Sequence, residues 1–153
     1  PNGEYDWCFT DQDYGLSDFF KRIDSIFIGR KSYEFSLSVG DAEMPGFPKL
    51  KEYVFSNTLN AVRPGSVLVS NDIEREIKRI KDEPGKDIWL CGGGQLAASV
   101  IDEIDELILK VYPILLGSGI PLFAGLIGPR AVSLIGHKIY PNGFSLLRSD
   151  CRR

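Results

Sequence analysis

At 153 residues, with 43% hydrophobic and 25% charged side chains, the chain has the length and composition of one ordinary soluble domain, which excludes a disordered or low-complexity segment. Its 18 basic and 21 acidic residues leave a net charge of −3 with no basic stripe, so the phosphate-neutralising footprint of a nucleic-acid binder is missing and any bound anion must be gripped locally. The longest apolar stretches, such as Val111 to Leu116, are broken by Pro or Gly and fall short of the ~20 residues of a membrane span.

In chain order, Leu16, Phe19, Phe20 and Ile23 recur at helical spacing and predict a helix, followed by a buried strand over Ser25 to Ile28. Gly29 follows at once, and Lys31 to Leu37 can form a short helix ahead of a loop holding Gly40, Pro45, Gly46 and Pro48. Glu52 to Phe55 and Ser66 to Val69 read as strands. Asp72 to Lys81 reads as a helix capped by Asn71 or Asp72, with Glu74 spaced to pair with Lys78 and Glu76 with Arg79 on a solvated face.

Ile88 to Cys91 is the next buried strand, and Gly92-Gly93-Gly94 opens a helix running to about Ile101. Glu106 to Tyr112 is another strand before a glycine- and proline-rich loop from Leu115 to Pro121. The tail offers strands over Ala131 to Tyr140 and Phe144 to Ser149 around Pro141-Asn142-Gly143, a hairpin signature. Strands alternating with helices and ending in a hairpin predict an α/β fold: a mainly parallel central sheet with flanking helices and a C-terminal antiparallel hairpin, all in a single domain spanning 1–153.

Three cysteines at unrelated spacings (Cys8, Cys91, Cys151) argue against a disulfide framework and fit a reducing cytoplasm, and no signal peptide is recognised. The single histidine, His137, would have to serve any Ser-His-Asp or Cys-His apparatus, and no zinc-type ligand set stands out, so no metal site is expected. His137 reads as a partly exposed strand residue.

Two segments carry chemistry. In Cys91-Gly92-Gly93-Gly94-Gln95-Leu96 a strand passes through three glycines into a helix, leaving main-chain N–H groups at the positive end of a helix dipole and room for a pyrophosphate to approach. A tight turn without a ligand is the other reading. Gly92, Gly94 and Ala97 also match the G-x-G-x-x-A dinucleotide fingerprint. The match lies late in the chain, however, and Leu109 to Tyr112 lacks the acid that normally follows.

The second segment, Gly29-Arg30-Lys31-Ser32, places two cations and a hydroxyl on a first helical turn, where cations oppose the dipole unless an anion offsets them. A ligand phosphate would do so, with Arg30 able to make a bidentate contact. A pair of surface charges beside a Ser32 cap is the alternative. Ser56 and Asn57, after another strand, could add hydroxyl and amide contacts at the same carboxyl edge.

The order Gly29-Arg30-Lys31-Ser32-Tyr33-Glu34, Phe55-Ser56-Asn57 and Cys91-Gly92-Gly93-Gly94-Gln95 resembles the dihydrofolate-reductase-like family. The run Tyr112-Pro113-Ile114-Leu115-Leu116-Gly117-Ser118-Gly119-Ile120-Pro121-Leu122-Phe123 is similar to the C-terminal reductase domain of the bifunctional riboflavin-biosynthesis protein and its stand-alone relatives. The resemblance implies NADPH. Gly29, Arg30, Lys31, Ser32, Ser56 and Asn57 would hold the adenosine-phosphate side, and Cys91, Gly92, Gly93, Gly94, Gln95 and Leu96 the pyrophosphate. Gly117, Ser118, Gly119, Pro121, Leu122 and Phe123 would line the site of a pterin- or pyrimidine-type small-molecule substrate.

The resemblance further implies a homodimer, and a first strand ending in a Ser-x-Asp-Gly-like stretch beside the nicotinamide. Pro1-Asn2-Gly3-Glu4-Tyr5-Asp6-Trp7 matches the stretch just after that strand, so the domain lacks it here. Dihydrofolate reductases place a proton-assisting acid on the helix before Gly29. Leu16 stands near that position, and Asp18, close by, is the candidate catalytic residue. Two other readings are a non-catalytic NADP(H)-binding module and a flavin or Rossmann-type binder resting on Gly92, Gly94 and Ala97.

Overall fold

The computed structural model describes residues 6–39, 47–126 and 128–152, so the opening turn and Gly40, Pro45 and Gly46 lie outside the described residues. α1 (Leu16–Arg22) leads directly into β1 (Ile23–Gly29), which starts two residues before the apolar run does because Ile23, read as helical, already sits in the sheet. α2 (Arg30–Val39), β2 (Lys51–Phe55), β3 (Val67–Val69), α3 (Ile73–Lys81), β4 (Asp87–Gly92) and α4 (Gly94–Ser99) follow. β1 is an inner strand of a parallel sheet in the order β3-β2-β1-β4.

Side-chain alternation sorts the two faces of this sheet. Phe27, Tyr53, Phe55 and Val69 point to one side, where Ile77 and Ile80 of α3 and Leu96 and Val100 close the main core. Ile73, Ile77 and Ile80 recur at i, i+4 and i+7, which is why α3 shows one apolar face to the sheet and its charges to water. On the other side Ile28 and Val54 pack with Tyr33 of α2 and with Leu59 and Val62. Burial on both faces accounts for the near-continuous apolar run of β1.

A short 3-10 turn (Ile101–Glu103) then leads to β5 (Glu106–Val111), β6 (Ser133–Ile139) and β7 (Ser145–Asp150). These form a separate antiparallel sheet in the order β5-β7-β6, so the hairpin pairs with β5 and makes no ladder with the parallel strands. Its tight end follows the expected turn: Gly143 N–H donates to the Tyr140 carbonyl and Tyr140 N–H to that of Phe144. Phe144, fully buried, stacks with Tyr14 and Tyr140 in a second core.

Local expectations needed correction in three places. Asp72 precedes α3 but in a left-handed conformation (φ 41°), and its side chain makes no capping bond. Lys78 turns to Glu103 at 3.5 Å instead of to Glu74, whereas Arg79 does meet Glu76 at 3.1 Å. α4 stops at Ser99 because the chain tightens into the 3-10 turn that begins at Ile101. No helix among the described residues is long and apolar enough to cross a membrane.

Arg22, the last residue of α1, links the two sheets at their lower edge. Its guanidinium reaches Asp87 Oδ2 at 2.8 Å and Glu106 Oε2 at 3.0 Å, and Arg148 adds a second cation to Glu106 at 2.8 Å. The hydrogen bonds from Arg148 and Arg22 pull the Glu106 carboxyl from 4.5 down to about 2. A carboxyl held low in the native state stabilises it fully above its unfolded value, and that contribution fades as pH falls from about 4.5 toward 2. Solvent screens both guanidiniums, so Glu106→Gln should lose about 1–2 kcal/mol at pH 7 and show a flatter acid limb between those pH values, read by denaturant unfolding across pH.

Candidate functional site

The carboxyl ends of β1 and β4 are neighbours in the sheet, and each ends in glycine before turning into a helix. The two turns nearly touch: a β-carbon on Gly29 would lie 3.4 Å from Gly93 N and 3.6 Å from both Gly92 O and Leu96 Cβ. A β-carbon on Gly93 would lie 3.2 Å from Ser32 Oγ. The structure thus brings the Gly29–Ser32 and Gly92–Leu96 segments together into one cradle, with first-turn N–H groups of α2 and α4 opening toward the same edge. Gly92, joined to Gly93 by a cis peptide, has φ 127°, a conformation side-chain-bearing residues rarely adopt, and space beyond its α-carbon is open.

Gly94 has a different role from the open approach expected of all three glycines. A β-carbon there would fall 2.4 Å from Pro121 O and 3.1 Å from Leu122 O, and Ala124 N–H donates to Gly94 O at 3.0 Å. The missing side chain admits the loop after β5, whose main chain at Pro121, Leu122 and Ala124 lies against the start of α4. Gly117, Ser118 and Gly119 are exposed further out, as are Leu115 and Ile120.

The remaining residues divide clearly. Arg30 pairs with Glu34 at 3.2 Å on the surface of α2, and Lys31 is exposed. Tyr33 is buried and its hydroxyl accepts the Arg63 N–H at 2.8 Å, which ties α2 to the loop after β2. Ser56 is buried, and its hydroxyl accepts from the N–H groups of Thr58 (3.2 Å) and Leu59 (3.1 Å), so it shapes the turn instead of facing a ligand. Asn57 Oδ1 accepts from Asn71 N–H at 3.1 Å, leaving its amide NH2 to donate outward. Gln95 is exposed, and Leu96 is buried beneath the turn.

Although Cys91 reaches the surface, burial of its thiol and the nearby Glu52 carboxylate push the pKa up to about 11, so it is not a poised thiolate. Asp18 lies on the outer side of α1, bound to Lys21 at 2.9 Å with 86% of its side chain exposed, where a proton relay has no shelter from water. His137 is an exposed residue of β6.

A cleft of about 350 Å³ at the same carboxyl edge, which the sequence did not foretell, is lined by Asn57, Asn71, Asp72, Ile73, Glu74 and Ser99. Asn71 and Asp72 both have left-handed backbone. That pair of asparagine and aspartate, residue types that tolerate φ > 0, was the available signal. Asp72 and Glu74 put two carboxylates on this rim, and no cation lines it among the described residues.

The glycine turns of this α/β sheet lie at its carboxyl edge, the position at which open α/β sheets bind ligands. Likeness to known proteins specifies the family. Residues 38–146 match the model of the RibD C-terminal domain, and the chain belongs to that family. The uncharacterized protein YyaP of Bacillus subtilis is 35% identical over 93% of this chain and 81% of its own length. A putative riboflavin biosynthesis protein from Shewanella sp. PV-4 superposes with a TM-score of 0.82 at 25% identity, over 99% of this chain and 89% of that one. The deaminase/5-amino-6-(5-phosphoribosylamino)uracil reductase of Thermotoga maritima shares the fold (TM-score 0.71, 11% identity) over 97% of this chain and 51% of its own.

Gly94→Ala should force the Pro121–Ala124 main chain off α4, because backbone atoms cannot yield as a flexible side chain would. A loss of about 1–3 kcal/mol in denaturant unfolding is expected, with faster amide exchange in 122–124.

Proposed function

We propose that this chain is an NADPH-dependent reductase that transfers a hydride to a C=N-type bond of a pterin- or pyrimidine-type substrate, similar to a 5-amino-6-(5-phosphoribosylamino)uracil reductase or a dihydrofolate reductase. The observation that carries it is the meeting of the Gly29–Ser32 and Gly92–Gly94 turns, which brings the starts of α2 and α4 together beside the open space at Gly92, where phosphates can approach main-chain N–H groups. Membership of the RibD C-terminal domain family and the fold shared with a named uracil reductase support the reading.

The residues present fit a dinucleotide. Gly92 leaves the cradle open to a pyrophosphate, Arg30 and Lys31 offer the cations for a 2′-phosphate, and the cleft beside Asn57 and Ile73 is large enough for a small ring system. The cofactor supplies the hydride; the protein's part is to bind, orient and exclude water. Pro121, Leu122 and Phe123, held to Gly94 by the Ala124 bond, cover the substrate side. The same reading carries a homodimer in the cytoplasm.

Cofactor choice has a second reading with its own observation. Asp72 and Glu74 on the cleft rim favour a free ribose hydroxyl over a phosphate, and so favour NADH. One fluorescence titration decides. If the proposal holds, the native protein binds NADPH tenfold or more tighter than NADH, and Arg30→Ala with Lys31→Ala removes that preference at a cost of about 1.5–3 kcal/mol per lost charge-assisted contact. If NADH binds as well or better, and Asp72→Asn with Glu74→Gln raises NADPH affinity alone, the acids set the choice. Binding of neither dinucleotide defeats the reading. Binding without turnover of any pterin or pyrimidine reduces it to a non-catalytic NADP(H)-binding module.

A further inference from the structure

Arg30 stands at a junction of the carboxyl edge. It is the first residue of α2, and the end of the strand before it is flanked on both sides: Gly29 lies beside Phe55 in the ladder with β2, and Ile28 beside Gly92 in the ladder with β4. The main chain at Arg30 therefore leaves the sheet between the Ser56–Asn57 turn and the Gly92–Gly93 turn.

The first turn of α2 favours a bound anion. It carries Arg30 and Lys31 and no acidic residue, so two cations stand at the positive end of the helix dipole, an arrangement that is unfavourable until a negative charge arrives. A ligand phosphate is one such charge. The chain carries another of its own, one turn further along.

That charge is Glu34. Arg30 Nη1 lies 3.2 Å from Glu34 Oε1 and 3.4 Å from its Oε2. The two residues are four apart, about 6 Å along the axis, and helical side chains lean toward the N-terminus. The Glu34 carboxylate thus leans back over the first turn and draws the guanidinium away from the helix opening. Both contacts use one nitrogen, which is not the two-nitrogen fork that makes an arginine–carboxylate pair strong. With 42% of the Arg30 side chain and 45% of that of Glu34 exposed, water screens the pair further. It is strong enough to bias the guanidinium and weak enough to open.

Asp72 and Glu74 line the cleft and would act on a ligand directly. Glu34 acts through the cation, because a guanidinium held by its carboxylate is not available to a phosphate.

We infer that Glu34 is a positioning residue that sets how far this chain discriminates NADPH from NADH: it competes with the 2′-phosphate for Arg30, and so holds the preference below what Arg30 and Lys31 would give alone. The inference rests on the NADPH reading above. In the unliganded chain Arg30 is held on Glu34; an incoming 2′-phosphate takes it over, and on release the carboxylate takes it back. A dinucleotide without that phosphate leaves the pair undisturbed, so the competition touches the phosphorylated form alone.

The experiment is a double-mutant cycle in affinity, by fluorescence titration of the native chain, Glu34→Gln, Arg30→Ala and the double variant with NADPH and with NADH. Glu34→Gln keeps the size of the side chain and removes its charge. It is expected to tighten NADPH about two- to fourfold, the range of an exposed ion pair, and to leave NADH unchanged. The unchanged NADH affinity shows at the same time that the variant is folded. In the Arg30→Ala background the same substitution should alter NADPH affinity by less than about 1.5-fold, because the cation it competes for is gone. If Glu34→Gln leaves NADPH affinity as it was or weakens it, while Arg30→Ala still lowers the preference, Glu34 does not compete and the inference fails with the NADPH reading intact. A Glu34→Gln effect that persists in full without Arg30 also overturns it, since the charge would then act on the ligand and not through the pair. If the native chain shows no preference and Arg30→Ala changes neither affinity, the NADPH reading itself fails and the inference falls with it.

Discussion

Everything at the carboxyl edge depends on how closely the main chain of β1 approaches that of β4 once both strands have ended. Gly29 and Gly93 meet at a distance that leaves no room for a side chain to intervene without displacing backbone or the Ser32 hydroxyl. α2 and α4 start from this meeting point, so their first turns share one opening, and the loop after β5 can reach it only because Gly94 also lacks a side chain. A main-chain-lined surface results from glycines at positions 29, 93 and 94. The register of β1 with β4 places them at the right level, Ile28 opposite Gly92.

Much of this was legible in the chain. The helix-strand alternation, the Pro141-Asn142-Gly143 hairpin and the glycine turns each rest on local chemistry, such as a φ only glycine adopts readily or a period of two or 3.6. What sequence could not supply was pairing between distant segments. Ser56 looked like a free hydroxyl because its acceptor role toward Thr58 and Leu59 depends on how the loop folds back. Lys78 reached Glu103 because α3 packs beside the 3-10 turn, a neighbour that helical spacing cannot reveal. The cleft beside Asn57 arises from segments fourteen or more positions apart, joined by a bond from Asn71.

The antiparallel sheet shows how a buried polar network can coexist with an apolar core. Tyr14 has a left-handed backbone and its ring is buried against Tyr140 and Phe144, while its hydroxyl donates to Asp11 and accepts from Asn142. Asn142 in turn takes the Phe144 N–H, so the turn of the hairpin and the segment ahead of α1 share one set of bonds. Burial and the Asp11 partner hold the Tyr14 phenol protonated beyond its usual range. The same cluster seats Phe9 and Tyr112.

The Arg22 junction has a consequence for the mechanics of the molecule. It ties the sheets through charges that remain partly open to solvent, with 41% of the Arg22 side chain and 58% of that of Asp87 exposed. The opposite tie, from Ala124 to Gly94, is a neutral main-chain bond. Mobile ions screen the first and hardly touch the second. Rising ionic strength therefore weakens the charged end of the seam and leaves the glycine end as it was.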